Sequence, residues 1–277
     1  MESALIFLGT GSSGSVPCMR CLIDPSDPPC PVCAYSLSFP PHLNPNYRFN
    51  VNVTFYVFSQ IVLTHEHADA VLGLDDVLAV QPFSPTNDID PIPVYLTQHS
   101  MDSVEKRFPY LVQKKHKEGQ EMRRVALLCW NIIADDCNRP FFASGLKLIP
   151  LPVMHGEDYI CLGFLFGEKN RVAYISDVSR IPASTECVIS KSGAGQAGQL
   201  DLLILDALEK TGSPNVHFCL PQTLETVKRL CPKQTLLIGM NHKFDHHKDN
   251  EFLMEWSRRE GLSVQLAHDG LRVPINL

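Results

Sequence analysis

Two imidazoles one residue apart, His65 and His67, followed two places on by the carboxylate of Asp69, form a compact set of metal-ligating groups. The apolar run Ile61-Val62-Leu63 leads into them as a buried strand, and Val71, Leu74 and Leu78 mark one side of a helix predicted over 69–80. The ligands therefore sit on the turn leaving a strand, where a rigid scaffold can present them to a cleft. His155 closes a strand predicted over 146–153, and Asp177 closes one over 171–175. Groups at the C-terminal ends of several strands can converge on one rim of a sheet. Three imidazoles with a carboxylate suit zinc, manganese or iron, and three imidazoles alone match an open catalytic zinc site. A lone strand-end histidine is usually structural or exposed; the His65–His67 pair sets this group apart.

A second set lies near the N-terminus. Cys18, Cys21, Cys30 and Cys33 make two Cys-x-x-Cys pairs around a proline-rich spacer. Thiolates at that spacing grip one zinc tetrahedrally, and a knuckle over 18–33 would stabilise a segment otherwise poor in core-formers. Either all four cysteines bind, or a distant histidine replaces one. Ten cysteines in a chain without a secretion signal point to reduced thiols and metal binding rather than a disulfide framework.

The elements that must hold these groups alternate between strand and helix. Leu5 to Leu8 reads as a short buried strand running into Gly9-Thr10-Gly11-Ser12-Ser13-Gly14. That loop either borders an active site or is a tight turn; it is no P-loop, since no Gly-Lys-Ser/Thr follows. Pro40, Pro41, Asn44, Pro45 and Asn46 break regular structure, and Phe49 to Phe58 alternates like a strand with Val51, Val53, Phe55 and Val57 on one face. Further strands are predicted at 94–96, 160–166 and 171–175 (paired about Glu168-Lys169-Asn170), 201–206, 235–239 and 264–266. Residues 100–125 read as partly helical, 220–230 as an amphipathic helix, 249–259 as a helix, and 190–199 as a Gly/Ser-rich loop. The alternation argues an α/β fold. With no internal repeat and no linker, the chain reads as one domain over 1–277.

Composition narrows the partners. The 277 residues are 44% hydrophobic and 19% charged, with a formal net charge of −6. Nothing advertises a general nucleic-acid surface, so an anionic substrate must be held by local cations or a metal. No basic n-region opens the chain, and no segment approaches the roughly 20 apolar residues of a membrane span. The expected compartment is the cytoplasm.

Taken in order, Gly-Thr-Gly-Ser-Ser-Gly-Ser-Val-Pro at 9–17, Thr-His-Glu-His-Ala-Asp-Ala at 64–70, His155, Ser176-Asp177, Asn215-Val216-His217, Asn241-His242-Lys243-Phe244-Asp245 and Asp269-Gly270 resemble the metallo-β-lactamase superfamily. The resemblance falls in the branch of the PhnP cyclic-phosphate phosphodiesterase, with tRNase Z more distant. It implies a four-layer αββα sandwich with a dinuclear site between the sheets, hydrolysing phosphodiesters through a metal-bound hydroxide. By it, His65, His67 and His155 would hold the first metal, Asp177 would bridge, and Asp69 would serve the second. His217, by itself an exposed loop histidine, would assist the leaving group. The structural zinc would take Cys21, Cys30, Cys33 and His242, leaving Cys18 outside.

Three departures bear on the chemistry. Ala70 and Gly239 stand where the family places second-site histidines. They imply one secure position for zinc or manganese and a weak or absent second one. Asp69 would then orient water, with His246, His247 or His268 as substitute ligands. Residues 34–63 are too few for the family's strand and hairpin, which leaves the N-terminal sheet incomplete. One metal favours an activated or strained diester, such as a cyclic phosphate. The acidic charge argues against pre-tRNA, which would need many phosphate contacts. The expected function is hydrolysis of a small phosphodiester, against two alternatives: a thioester or lactone hydrolase, and a catalytically degenerate, zinc-stabilised interaction module.

Overall fold

In chain order, β1 (Ala4–Ile6), α1 (Met19–Ile23) and α2 (Pro31–Ser36) precede β2 (Phe55–Val57), β3 (Gln60–Val62), α3 (Ala68–Val71), β4 (Ile92–Leu96), α4 (Gln98–Arg107), α5 (Pro109–Val112), β5 (Leu128–Ile132) and β6 (Phe141–Ala143). Then come β7 (Leu146–Met154), β8 (Ile160–Phe166), β9 (Val172–Ile175), α6 (Ala183–Lys191), β10 (Leu202–Asp206) and α7 (Leu220–Leu230). The chain ends with β11 (Gln234–Ile238), α8 (His246–Glu260), β12 (Val264–Leu266) and β13 (Arg272–Pro274). This is a computed structural model, and it describes residues 3–26, 28–50, 55–57, 60–83, 88–112, 125–191, 199–212 and 215–277. The strand predicted across Val51 and Val53, the end of the 100–125 segment and most of the 190–199 loop lie outside the described residues. Contacts divide the chain into two compact units, one of Met1–Asn50, Asp136–Pro140 and Leu146–Leu277, the other of Val51–Asp135 and Phe141–Gly145.

In the larger unit the strands lie in the order β12-β11-β10-β9-β8-β7. β7, β8 and β9 form an antiparallel meander, whereas β9 to β12 are all parallel. Two antiparallel steps make β7 parallel to β9. The C-terminal ends of β7, β9, β10 and β11 therefore share one edge, and His155, Asp177, Asp206 and Gly239 sit at or just beyond it. Burial explains the runs that build these strands: all five residues of β10 are buried, as a parallel strand covered on both faces requires. Leu151, Leu203, Leu205, Leu237, Phe244, Leu253 and Trp256 belong to the core around them. Helix α7 lays Leu224 and Val227 on that core, and α8 starts at Asp245, whose carboxylate caps the His247 and Lys248 amides. The smaller unit has the sheet β2-β3-β4-β5, antiparallel between β2 and β3 and parallel thereafter, over a core of Ile61, Leu63, Val94, Leu96 and Leu128. A hairpin, β2 to β3, thus precedes the histidines in the segment expected to be too short.

Two local expectations are corrected. The helix predicted over 69–80 is one α turn, α3, followed by 3-10 turns at Leu72–Leu74 and Asp76–Ala79. The apolar period was real, but Gly73 and the pair Asp75-Asp76 are poor helix formers, and the 3-10 turns still bury Leu74 and Val77. The first strand is not a buried one: among the described residues β1 pairs with β13 alone, and Ile6 is 57% and Leu8 63% exposed. No helix among the described residues is long and apolar enough to cross a membrane.

Candidate metal centres

Cys21 lies in α1, Cys30 caps α2, and Cys33 is buried in its first turns, with Pro31 starting the helix where an amide donor is not needed. The His242 Nδ1 lies 3.5 Å from the Cys21 Sγ, 3.6 Å from the Cys30 Sγ and 3.7 Å from the Cys33 Sγ. Three thiols and an imidazole, their ligand atoms all within 4.8 Å of one another, are a donor set that suits zinc. Cys18 is not in that group, and its backbone amide donates to the Cys33 sulfur at 3.3 Å. Burial, with the neighbouring Cys30 thiol adding to it, pushes the Cys33 thiol up to about 12. A zinc bound there would have to displace the Cys33 proton. Buried Arg48 braces the loop bearing His242, its Nη2 donating to the Asn241 carbonyl at 3.1 Å and the Phe244 carbonyl at 2.8 Å.

At the shared strand edge, His155, Asp177 and His217 bring ligand atoms within 4.8 Å of one another. The His155 Nδ1 donates to the Val216 carbonyl at 2.6 Å, so the lone pair of its neutral ring is on Nε2. A backbone acceptor on the far nitrogen is the usual support of a metal-ligating histidine. The Ser176 hydroxyl donates to the Asp177 carboxylate. His217, half-buried rather than exposed, packs its ring 4.7 Å from that of His155 and donates from Nδ1 to the Asp206 Oδ2 at 2.7 Å. Burial, with Asp177 adding to it, raises the Asp206 carboxyl to about 7 despite the pull of His217. Asp206 is a functional candidate that sequence reasoning passed over. Its signal was present: a carboxylate closing a strand of four aliphatic residues.

Gly239 has its own reason to be glycine. Its φ is +74°, and a Cβ there would come 2.5 Å from the Asp206 Oδ1. A side chain at 239 and the Asp206–His217 pair compete for one space.

In the smaller unit the Thr64 hydroxyl and the His65 Nδ1 are 2.9 Å apart, and the His65 and His67 rings pack edge-on with centroids 4.6 Å apart. Asp69 is half-buried in the first turn of α3 and joins none of the metal-holding groups among the described residues. Ala70 is 5% exposed within the core of Ile61, Leu63 and Leu74, a setting for a methyl group rather than an imidazole.

His246, His247 and His268, the substitutes weighed from sequence, line a separate pocket of about 620 Å³ in the larger unit. The His246 ring lies 5.7 Å from that of His247 and 5.6 Å from that of His268. Burial and the neighbouring His268, His247 and Arg48 lower His246 to about 4. Its folded value lies below the unfolded one, so stability is full above about pH 6.5 and falls as pH drops toward 4. After allowance for solvent screening the loss is about 1–2 kcal/mol. Thermal unfolding scans between pH 7 and pH 4 should show a shallower decline for His246→Asn than for the wild type.

Residues 40–240 match the model of the β-lactamase superfamily domain. The chain therefore belongs to the metallo-β-lactamase superfamily. Its fold is similar to that of a crystallised diphosphatase from the PhnP family, at 26% identity and a TM-score of 0.73, covering 99% of this chain and 98% of that one. Zinc-bound PqqB from Methylobacterium extorquens shares the fold at 14% identity and a TM-score of 0.65, covering 99% and 100% of the two chains. The short form of human tRNase Z shares it at 15% identity and a TM-score of 0.55, again over 99% and 100%. Among curated proteins, an octanoyltransferase of Porphyromonas gingivalis strain W83 is 27% identical over 217 residues, 77% of this chain. The chain spans only 39% of that relative's length.

Proposed function

We propose that this chain is a metal-dependent phosphodiesterase acting on a small or cyclic phosphodiester, organised as one hydrolase domain over 1–277 and working in the cytoplasm. The observation that carries the reading is the Asp206–His217 pair set beside His155 and Asp177. His65, His67, His155 and Asp177 are the proposed ligands of a catalytic zinc or manganese, and Cys21, Cys30, Cys33 and His242 those of a structural zinc. When bound, the catalytic metal lowers the pKa of water and polarises a phosphoryl oxygen.

The protein's own groups do the rest. The Val216 carbonyl holds His155 with Nε2 forward, and the Ser176 hydroxyl holds Asp177. Asp206 fixes the proton of His217 on Nδ1. With Nδ1 so held, Nε2 faces away from Asp206 and, when protonated, can donate to the leaving oxygen. The similarity to a PhnP-family diphosphatase supports a phosphoryl substrate, and the net charge of −6 favours a small one over nucleic acid.

Protein loaded with zinc or manganese should hydrolyse bis(p-nitrophenyl) phosphate and a nucleoside 2′,3′-cyclic phosphate. His155→Ala should lose about 10³-fold in kcat/KM, the equivalent of several kcal/mol of charge stabilisation. Turnover of a thioester reporter with no diesterase activity, at equal metal content, would overturn the reading.

A further inference from the structure

Between His65 and His67 stands a third chemistry-bearing residue, Glu66, which neither the motif nor the proposed ligand set uses. A carboxylate between two such imidazoles could bind metal, act as a base, or hold the loop. Its surroundings decide between them. Glu66 is 8% exposed. One carboxylate oxygen, Oε2, accepts from the hydroxyl of buried Ser100 at 3.3 Å, and the other, Oε1, lies 3.2 Å from the His99 Nε2. Both partners are in the first turn of α4, which Thr97 caps by accepting from the Ser100 amide. At the far end of the same helix, the Arg107 guanidinium donates to the Glu66 backbone carbonyl at 3.0 Å. Residue 66 is thus gripped from both ends of a ten-residue helix, and no metal-holding group among the described residues includes it.

We infer that Glu66 is a positioning residue: it ties the His65–His67 loop to α4 and holds both imidazoles in their metal-binding orientation without binding the metal itself. A loop this short fixes its two outer side chains through the central one. Burying the carboxylate among a hydroxyl, an imidazole and the positive end of a helix fixes that central one. The inference rests on the proposed role of His65 and His67 as metal ligands.

Metal affinity separates the alternatives without recourse to activity. Zinc affinity would be measured by chelator competition on the wild type, Glu66→Ala, Glu66→Gln and Ser100→Ala, with thermal unfolding on each. The cobalt-loaded forms would be compared by their visible d–d spectra. For Glu66→Ala we expect the affinity of the histidine site to fall about 10–100-fold, the range for a support behind a metal ligand, and the cobalt spectrum to change. The zinc of the cysteine site should stay. Glu66→Gln keeps an oxygen for Ser100 and should stay within about threefold of the wild type, while Ser100→Ala should lose several-fold. Were Glu66 itself a ligand, the Gln variant would lose as much as the Ala variant and Ser100→Ala would be silent, which overturns the inference. Unchanged affinity and spectrum in Glu66→Ala overturn it too. A wild type that takes up zinc only at the cysteine site removes the proposed function first, and the role of Glu66 with it.

Discussion

Stripping zinc from Cys21, Cys30, Cys33 and His242 is expected to unfold much of the larger unit. Structural zinc contributes about 10–16 kcal/mol of apparent binding free energy in small zinc domains, as much as the roughly 5–15 kcal/mol by which a whole domain is stable. The local alternative is weak: among the described residues, Val16, Val32 and Cys33 form a small buried cluster beneath the knuckle, with Cys18, Cys21 and Cys30 packed on it. Cys21 and His242 are also 221 residues apart in sequence. A metal held there would close a long loop. Far-UV circular dichroism during titration with a strong chelator should show zinc release and loss of structure together, and Cys33→Ser should reproduce it. Cys18→Ser should keep the zinc and shift stability by less than about 1 kcal/mol, because that residue serves the site through its backbone amide. Zinc release with the fold intact would remove the structural role.

Asp206→Asn carries the second large effect. The carboxylate accepts the His217 Nδ1 proton, whereas an amide can turn its NH2 toward the ring and favour the opposite tautomer. Losing the correct tautomer and the partner charge should lower kcat about 10²–10³-fold, within the usual span of general acid–base catalysis. The metal content should not change. Stability should respond in the other direction. Asp206 rests at about 7 in the folded protein against an ordinary 3.8, so the unfolded chain ionises first as pH rises. The wild type therefore loses stability between about pH 4 and 7 through this group, and Asp206→Asn should not. Paired kcat–pH profiles and unfolding scans check both halves. A kcat loss with diesters bearing good leaving groups as large as that with poor ones would count against leaving-group protonation.

Much of this was legible in the sequence, for identifiable reasons. β7, β10 and α7 stand out because each keeps one burial pattern along its length, near-alternating in β7, continuous in β10 and one-sided in α7, so hydrophobic period and boundary coincide. The histidine, aspartate and cysteine motifs stand out because metal chemistry allows few residue types at few spacings. Asp206 and Glu66 were harder. Asp206 meets His217 from 11 residues' distance and Glu66 meets Ser100 from 34, and a single carboxylate has no period and no partner visible in one dimension. The broken helix after Ala68 shows the opposite failure, where the apolar spacing was right and the local backbone preference overrode its shape.

Gly239 also bears on which side chains this strand end can accept. With φ at +74° and the Asp206 Oδ1 in the space of the missing Cβ, any residue that restores an imidazole there first displaces the carboxylate behind His217. A Gly239→His substitution thus sets a new side chain against the Asp206–His217 hydrogen bond, at a backbone angle that only glycine adopts freely.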